Sequence, residues 1–223
     1  MNPYQQPISI GRPAAVATGN KLIRNTYTLL ALTLLFSAAT AGASVAFNLP
    51  YPGMLVTMVG YFGLLFVTYA LRNSAWGLVS IFGLTGFMGL TLGPIINMYL
   101  HLPNGAQTVM MAMGGTGVIF LGLSAYALTS RKDFSFMGGF LMVGILVAFL
   151  AGLGAIFFHM PGLSLAVAAM FVLLMSGMIL FETSQLVHGG ETNYILATIS
   201  LYVSIYNLFL SLLQLIGAFN RED

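Results

Sequence analysis

Glu182 is the residue best placed to do chemistry in this chain. It stands in Phe181-Glu182-Thr183-Ser184-Gln185, near the end of the apolar run 162–187 and about five residues inside it. At 1.5 Å of rise per residue that is roughly 8 Å deep in a membrane helix. A charge at mid-membrane costs about 2.5–3.5 kcal/mol on insertion scales, and such residues mostly face a bundle interior or a water cavity. The chemistry open to a lone carboxyl there is the handling of a proton or cation. The plainer alternative is a hydrogen-bonded structural lock.

A second pattern follows it. Ser200, Ser204, Asn207, Ser211 and Gln214 recur at i, i+4, i+7, i+11 and i+14, which is one face of a helix. A polar stripe in a membrane helix turns inward. It forms either an interhelical hydrogen-bond seam or the lining of a polar path, with Tyr202 and Tyr206 beside it. The segment between these two patterns reads His188-Gly189-Gly190-Glu191-Thr192-Asn193-Tyr194. His188 and Glu191 make at most a weak metal pair, and a Gly-Gly turn with Glu191 or Asn193 capping the next helix is simpler.

Enzyme constellations are missing. An intramembrane aspartyl protease needs two aspartates within spans, yet Asp133 and Asp223 both lie outside them. There is no HExxH zinc motif and no P-loop lysine. No histidine stands at depth to serve a serine. Zero cysteines exclude disulfides, thiolate metal sites and cysteine nucleophiles. No motif calls for a cofactor.

The elements that must position Glu182 follow from composition. Only 5% of the 223 residues are charged and 58% are hydrophobic, whereas soluble domains are about 25% charged. Twelve charges cannot cover a soluble surface of this size. A net charge of +2 with scattered bases gives no footprint for nucleic acid. Seven stretches are long and apolar enough to cross a bilayer: 26–47, 53–71, 76–100, 107–129, 136–158, 162–187 and 194–219. Glu182 is the only charged residue within them. His101, His159 and His188 fall in the gaps, and of eight prolines only Pro94 lies inside a span. The expectation is an all-α, polytopic membrane protein with seven transmembrane helices, its gaps too short for an extramembrane domain.

Basic residues sort by side. Arg12, Lys21, Arg24, Arg72, Arg131 and Lys132 fall on one, and Arg221 alone on the other. Six against one predicts a cytoplasmic N-terminus and an external, periplasmic C-terminus. Met1–Asn20, with three prolines and two glycines, reads as a flexible cytoplasmic tail before the membrane domain 21–223. It lacks the order of a signal peptide. Tyr27, Tyr51, Trp76, Tyr99, Phe158 and Tyr194 near span ends fit interfacial belts. Gly83, Gly86 and Gly89, with the GxxxG match Gly89–Gly93, predict close helix packing, or less readily a dimer face. Pro94 should kink the third span.

These residues also carry a resemblance. Thr85-Gly86-Phe87-Met88-Gly89-Leu90-Thr91-Leu92-Gly93-Pro94-Ile95 resembles the signature helix of the Bax inhibitor-1 family of membrane proteins. Arg131-Lys132-Asp133-Phe134-Ser135-Phe136 is similar to its basic loop after the fourth span. Phe181–Gln185 and Leu201–Phe209 are similar to its last two helices. The likeness covers about residues 20–220. Within the family, Ile23-Arg24-Asn25-Thr26-Tyr27 and His188–Ile195 resemble bacterial members that modulate a membrane protease.

The resemblance implies a seven-helix bundle with the seventh helix central, in the bacterial inner membrane. It implies binding to the FtsH protease with HflK and HflC, as substrate and competitive inhibitor in membrane-protein quality control. Met1, Asn2, Pro3 and Tyr4 would then begin the tail that an ATP-driven protease grips. Other family members are pH-sensitive calcium leaks that use two aspartates and a nearby arginine. Here Glu182 matches the first acidic position, Ser204 the second, and Arg72 is the only base in the arginine region. A cation leak centred on Glu182, with Ser204, Asn207 and Arg72, is the alternative reading. One carboxylate and a serine cannot share a proton as two carboxylates do.

Overall fold

The structure is a computed structural model and describes residues 12–220, with side chains from residue 20 onward. Seven helices follow one another: α1 Arg12–Ala46, α2 Met54–Leu71, α3 Trp76–Leu100, α4 Gly105–Ser130, α5 Met137–Phe157, α6 Pro161–His188 and α7 Tyr194–Phe219. All are long and apolar enough to cross a membrane. In hydrocarbon the backbone must satisfy its own polar groups, so apolar runs of this length fold as helices. Their outer faces carry large exposed apolar side chains such as Leu55, Phe66 and Phe140. Lipid tolerates such a surface and water does not.

The ends are set by local chemistry. Gly189 closes α6 in the left-handed region at φ 76°, where glycine is favoured, and Gly190 N–H returns to the Gln185 carbonyl. Asn193 caps α7, its side chain accepting from Ile195 N–H (2.9 Å) and Leu196 N–H (3.2 Å). Pro161 opens α6 in its first turn.

One boundary differs by more than two residues from the sequence-based reading. Helix α1 already covers residues 12–20, ahead of the apolar run, so that part of the expected tail belongs to it. The segment Arg12-Pro13-Ala14-Ala15-Val16-Ala17 has proline in its first turn and good helix formers after it, and polarity alone did not stop propagation. The membrane-crossing part is Asn20–Ala46. Met1, Asn2, Pro3 and Tyr4 lie outside the described residues.

The most extensive helix pair is α1 with α3, then α6 with α7. Helix α7 is the most buried of the seven and packs on α1, α3, α4 and α6, while α2 lies chiefly on α3 and α5 on α6. The glycines of α3 explain the first pair. A methyl at Gly89 would overlap the Ser37 carbonyl and the Thr40 hydroxyl of α1, and one at Gly93 would overlap the Ser44 side chain. The GxxxG face is therefore covered by a helix of the same chain.

Helix α3 runs unbroken through Pro94. Proline has no N–H, so the carbonyl four residues back, Leu90, loses its helical donor. Ser44 of α1 replaces it, its Oγ donating to Leu90 O at 2.9 Å. Ser44→Ala should destabilise the protein by about 1–3 kcal/mol, because a freed carbonyl is left unpaired. The check is thermal unfolding in detergent, with Ser44→Thr restoring the donor.

Candidate functional site

Glu182 and Ser204 meet on the α6–α7 seam. Glu182 is buried (9% exposed) and Ser204 more so. The Ser204 hydroxyl lies 3.1 Å from Oε1 and 3.0 Å from Oε2, a single donor shared by both carboxyl oxygens. The helical period places Ser204 on the buried face of α7, and the Gly189-Gly190 turn folds α7 back along α6 so that the two residues come level.

The next residue extends the polar cluster. Thr183 Oγ1 is 3.2 Å from Tyr27 Oη of α1 and 3.5 Å from Ser124 Oγ of α4. Tyr27 thus turns inward, instead of serving an interfacial belt as its position near a span end suggested.

A cavity of about 140 Å³ leads toward Glu182 from the 189–193 turn, lined among others by Gln185, Gly190, Glu191 and Ser200. At about 30 Å³ per water it has room for roughly four. Water can therefore approach the carboxyl from the end of the bundle that carries the 72–75, 131–136 and 189–193 loops.

The remaining residues singled out in the sequence go elsewhere. Asn207 Nδ2 donates to Val203 O of its own helix (2.9 Å). Arg72 folds back on α2, its Nη1 donating to Tyr69 O (3.2 Å) and its guanidinium carbon 4.1 Å from the Tyr69 ring centroid. It makes no ion pair with Glu182. Two residues of the α7 stripe bond α6: Ser204 bonds Glu182, and Gln214 Nε2 donates to Ser164 Oγ at 2.6 Å, while Ser200 is exposed on the small cavity. Asn207, between these two bonds, closes on its own backbone, so the stripe holds no unbroken chain of outward-facing polar groups.

The loop end is tied by side chains that sequence reading had not paired. Ser184 accepts from Phe134 N–H (3.0 Å) and Gln185 Oε1 accepts from Ser135 Oγ (3.3 Å). His188 places Nε2 3.0 Å from Arg131 O and Nδ1 2.9 Å from Ser184 O. Glu191 Oε1 accepts from Thr192 and Asn193 N–H groups, both at 2.7 Å. His188 and Glu191 are thus occupied by backbone groups rather than by each other. Asn193 Nδ2 reaches Arg72 O (3.1 Å) and Asn73 Oδ1 (2.9 Å), fastening the α2–α3 turn. In the basic loop, Ser135 N–H donates to Asp133 Oδ1 (2.8 Å), and hydrogen bonding to Ser135 holds that carboxyl below its ordinary range.

With this geometry in place, residues 19–221 match the family model described as "Inhibitor of apoptosis-promoting Bax1". The chain belongs to the Bax inhibitor-1 family. A protein of Pseudomonas aeruginosa is 58% identical over 202 residues, 91% of each chain. "Modulator of FtsH protease YccA" of Escherichia coli K12 is 53% identical over 203 residues, 91% of this chain and 92% of the other. A membrane protein of Vibrio cholerae is 47% identical over 92% of each. The Bax inhibitor-1 family motifs fall on structural joints: the glycine helix on the α1–α3 contact, the basic loop on the α6 clamp, and Phe181–Gln185 on the Glu182 pair.

Proposed function

We propose that this chain is an inner-membrane regulatory protein that modulates the FtsH protease, entering it as a substrate and thereby competing with other membrane substrates. The observation that carries this reading is the 53% identity, over nearly the whole of both chains, to a protein named for that modulation. A second YccA is named an inner membrane protein. The chemistry of the chain supports it. The connecting loops are short, and the polar residues serve seams and caps, so regulation falls to binding.

A processive protease needs a handle. Residues 1–11, which begin with Met1, Asn2, Pro3 and Tyr4, precede α1 and are the proposed one. The six-to-one distribution of basic residues supports a cytoplasmic position for that end and a periplasmic C-terminus. HflK and HflC are expected with the protease.

Two measurements test this reading. Purification from membranes in mild detergent should bring down FtsH. Deleting residues 2–11, which spares α1, should lengthen the half-life of the protein several-fold and relieve its inhibition of competing substrates. Unchanged turnover of the truncated chain would overturn the mechanism. The cation-leak alternative has less support, because Ser204 stands at the second acidic position and Arg72 and Asn207 turn away.

A further inference from the structure

A second cavity, of about 660 Å³, lies at the opposite end of the bundle from the Glu182 pocket. Helices α1 and α4 form its walls, and α3 and α7 its floor. The hollow exists because its lining is small at Ala38, Gly42 and Gly117, and a methyl added at either glycine would meet nothing within 4 Å. We propose that this slot holds one acyl chain of a bilayer phospholipid, drawn from the leaflet bordered by the 47–53 and 101–104 loops.

Length supports the assignment. The α1 wall runs from Leu34 to Ala46, the last residue of the helix, and the α4 wall from Val109 to Phe120. Twelve and eleven residue steps at 1.5 Å give about 18 and 17 Å. Half of a hydrocarbon core about 30 Å thick is about 15 Å. The slot therefore spans one leaflet, from the interface to the bilayer middle. At its inner end Phe120 of α4 is backed by Tyr27, from the far end of α1, with ring centroids 6.2 Å apart. A partner's transmembrane helix needs a groove through both leaflets, and a single acyl chain does not.

The lining chemistry favours an apolar guest, since it is almost wholly aliphatic and aromatic and the Ser37, Thr116 and Tyr202 hydroxyls are partnered within the protein. Ser37 Oγ and Tyr202 Oη are 2.6 Å apart, and Thr116 Oγ1 donates to Ala112 O at 2.7 Å. The lining has no charged or amide side chain to hold an ion. An apolar cavity of ~150 Å³ already stays dry and takes up benzene. One four times larger, left empty, would forfeit the dispersion contacts of its whole lining. Its rim at Leu35 and Met113 is exposed and continuous with the lipid-facing surface, so acyl chains are the solvent at hand.

The test uses the full chain in vesicles of phosphatidylethanolamine and phosphatidylglycerol. A trace of phosphatidylcholine carries a diazirine, either near the carboxyl end or near the terminal methyl of one acyl chain. After irradiation, adducts should concentrate on slot residues such as Ile96 and Met113 over Phe62 of α2 and Phe140 of α5. They should shift from the 109–113 turn toward Phe120 as the label moves down the chain. Gly42→Leu with Gly117→Leu fills the slot, and its adducts should fall about tenfold while those on α2 and α5 persist, because an excluded chain loses most of its contacts. Ala38→Leu is the second filling variant should the double change fail to fold. The depth profile of the wild-type chain needs no variant. Slot adducts no denser than those on α2 and α5, or a profile without depth order, would each overturn the proposal.

Discussion

Gly89→Ala should destabilise the bundle by about 3 kcal/mol, while Gly83→Ala, two turns earlier on the same helix, should be neutral or slightly stabilising. Overpacking against side chains typically costs 1–3 kcal/mol, because neighbours can shift. At Gly89 the obstacle is the Ser37 backbone carbonyl of α1, which cannot rotate away, together with the Thr40 hydroxyl. The helices would have to separate at their most extensive contact. Separation would also stretch the bond from Ser44 to the Leu90 carbonyl that Pro94 leaves unpaired. Gly93 and Gly86 stand on the same face, the latter with Phe36 Cε1 2.7 Å from an added methyl. Phe36 has a flexible side chain, so Gly86→Ala should cost less than Gly89→Ala. At Gly83 nothing lies within 4 Å, and alanine gains up to about 1 kcal/mol of helix propensity over glycine. Unfolding of the three variants in detergent gives the ranking. Equal stability of Gly89→Ala and Gly83→Ala would show that the α1–α3 contact is not as close as described.

What the sequence made legible divides along a physical line. Spans were readable because lipid imposes one rule on every residue of a run. The predicted limits 76–100 and 194–219 coincide with α3 and α7. The start of α1 was not, since propagation past Asn20 depends on the helix preference of Ala14, Ala15 and Ala17, which an apolarity rule ignores. The pairing of Glu182 with Ser204 follows from helical period and a tight turn, both local properties. Arg72 and Asn207 could not be placed in that way. A long side chain at a helix end chooses among partners that only the tertiary structure supplies, and for Arg72 the choice is the Tyr69 ring. The Ser44–Leu90 bond is an intermediate case. Pro94 announces an unpaired carbonyl, but which distant hydroxyl serves it depends on how α1 lies against α3.

The second large effect is expected at the Glu182–Ser204 pair, and its sign is not the obvious one. Ser204→Ala should be the most damaging single change there. It removes the hydroxyl from both oxygens of a buried carboxyl and supplies nothing in return, a loss of about 1–3 kcal/mol. Glu182→Gln should cost less than about 1 kcal/mol, since its carbonyl oxygen still accepts from Ser204. The double variant Glu182→Leu with Ser204→Ala should be more stable than Ser204→Ala alone. Replacing both partners by apolar groups of similar shape leaves no unpaired group in hydrocarbon, whereas removing one partner does. The cycle of Glu182→Leu, Ser204→Ala and their combination should return a coupling energy of about 1–3 kcal/mol, as for other contacting buried pairs. Unfolding midpoints in detergent measure all four corners. A harmless Ser204→Ala would mean that water in the 140 Å³ cavity, and not the serine, satisfies the carboxyl. In that event Ser200→Leu, which narrows the same cavity, should become the damaging change and restore the dependence on Ser204.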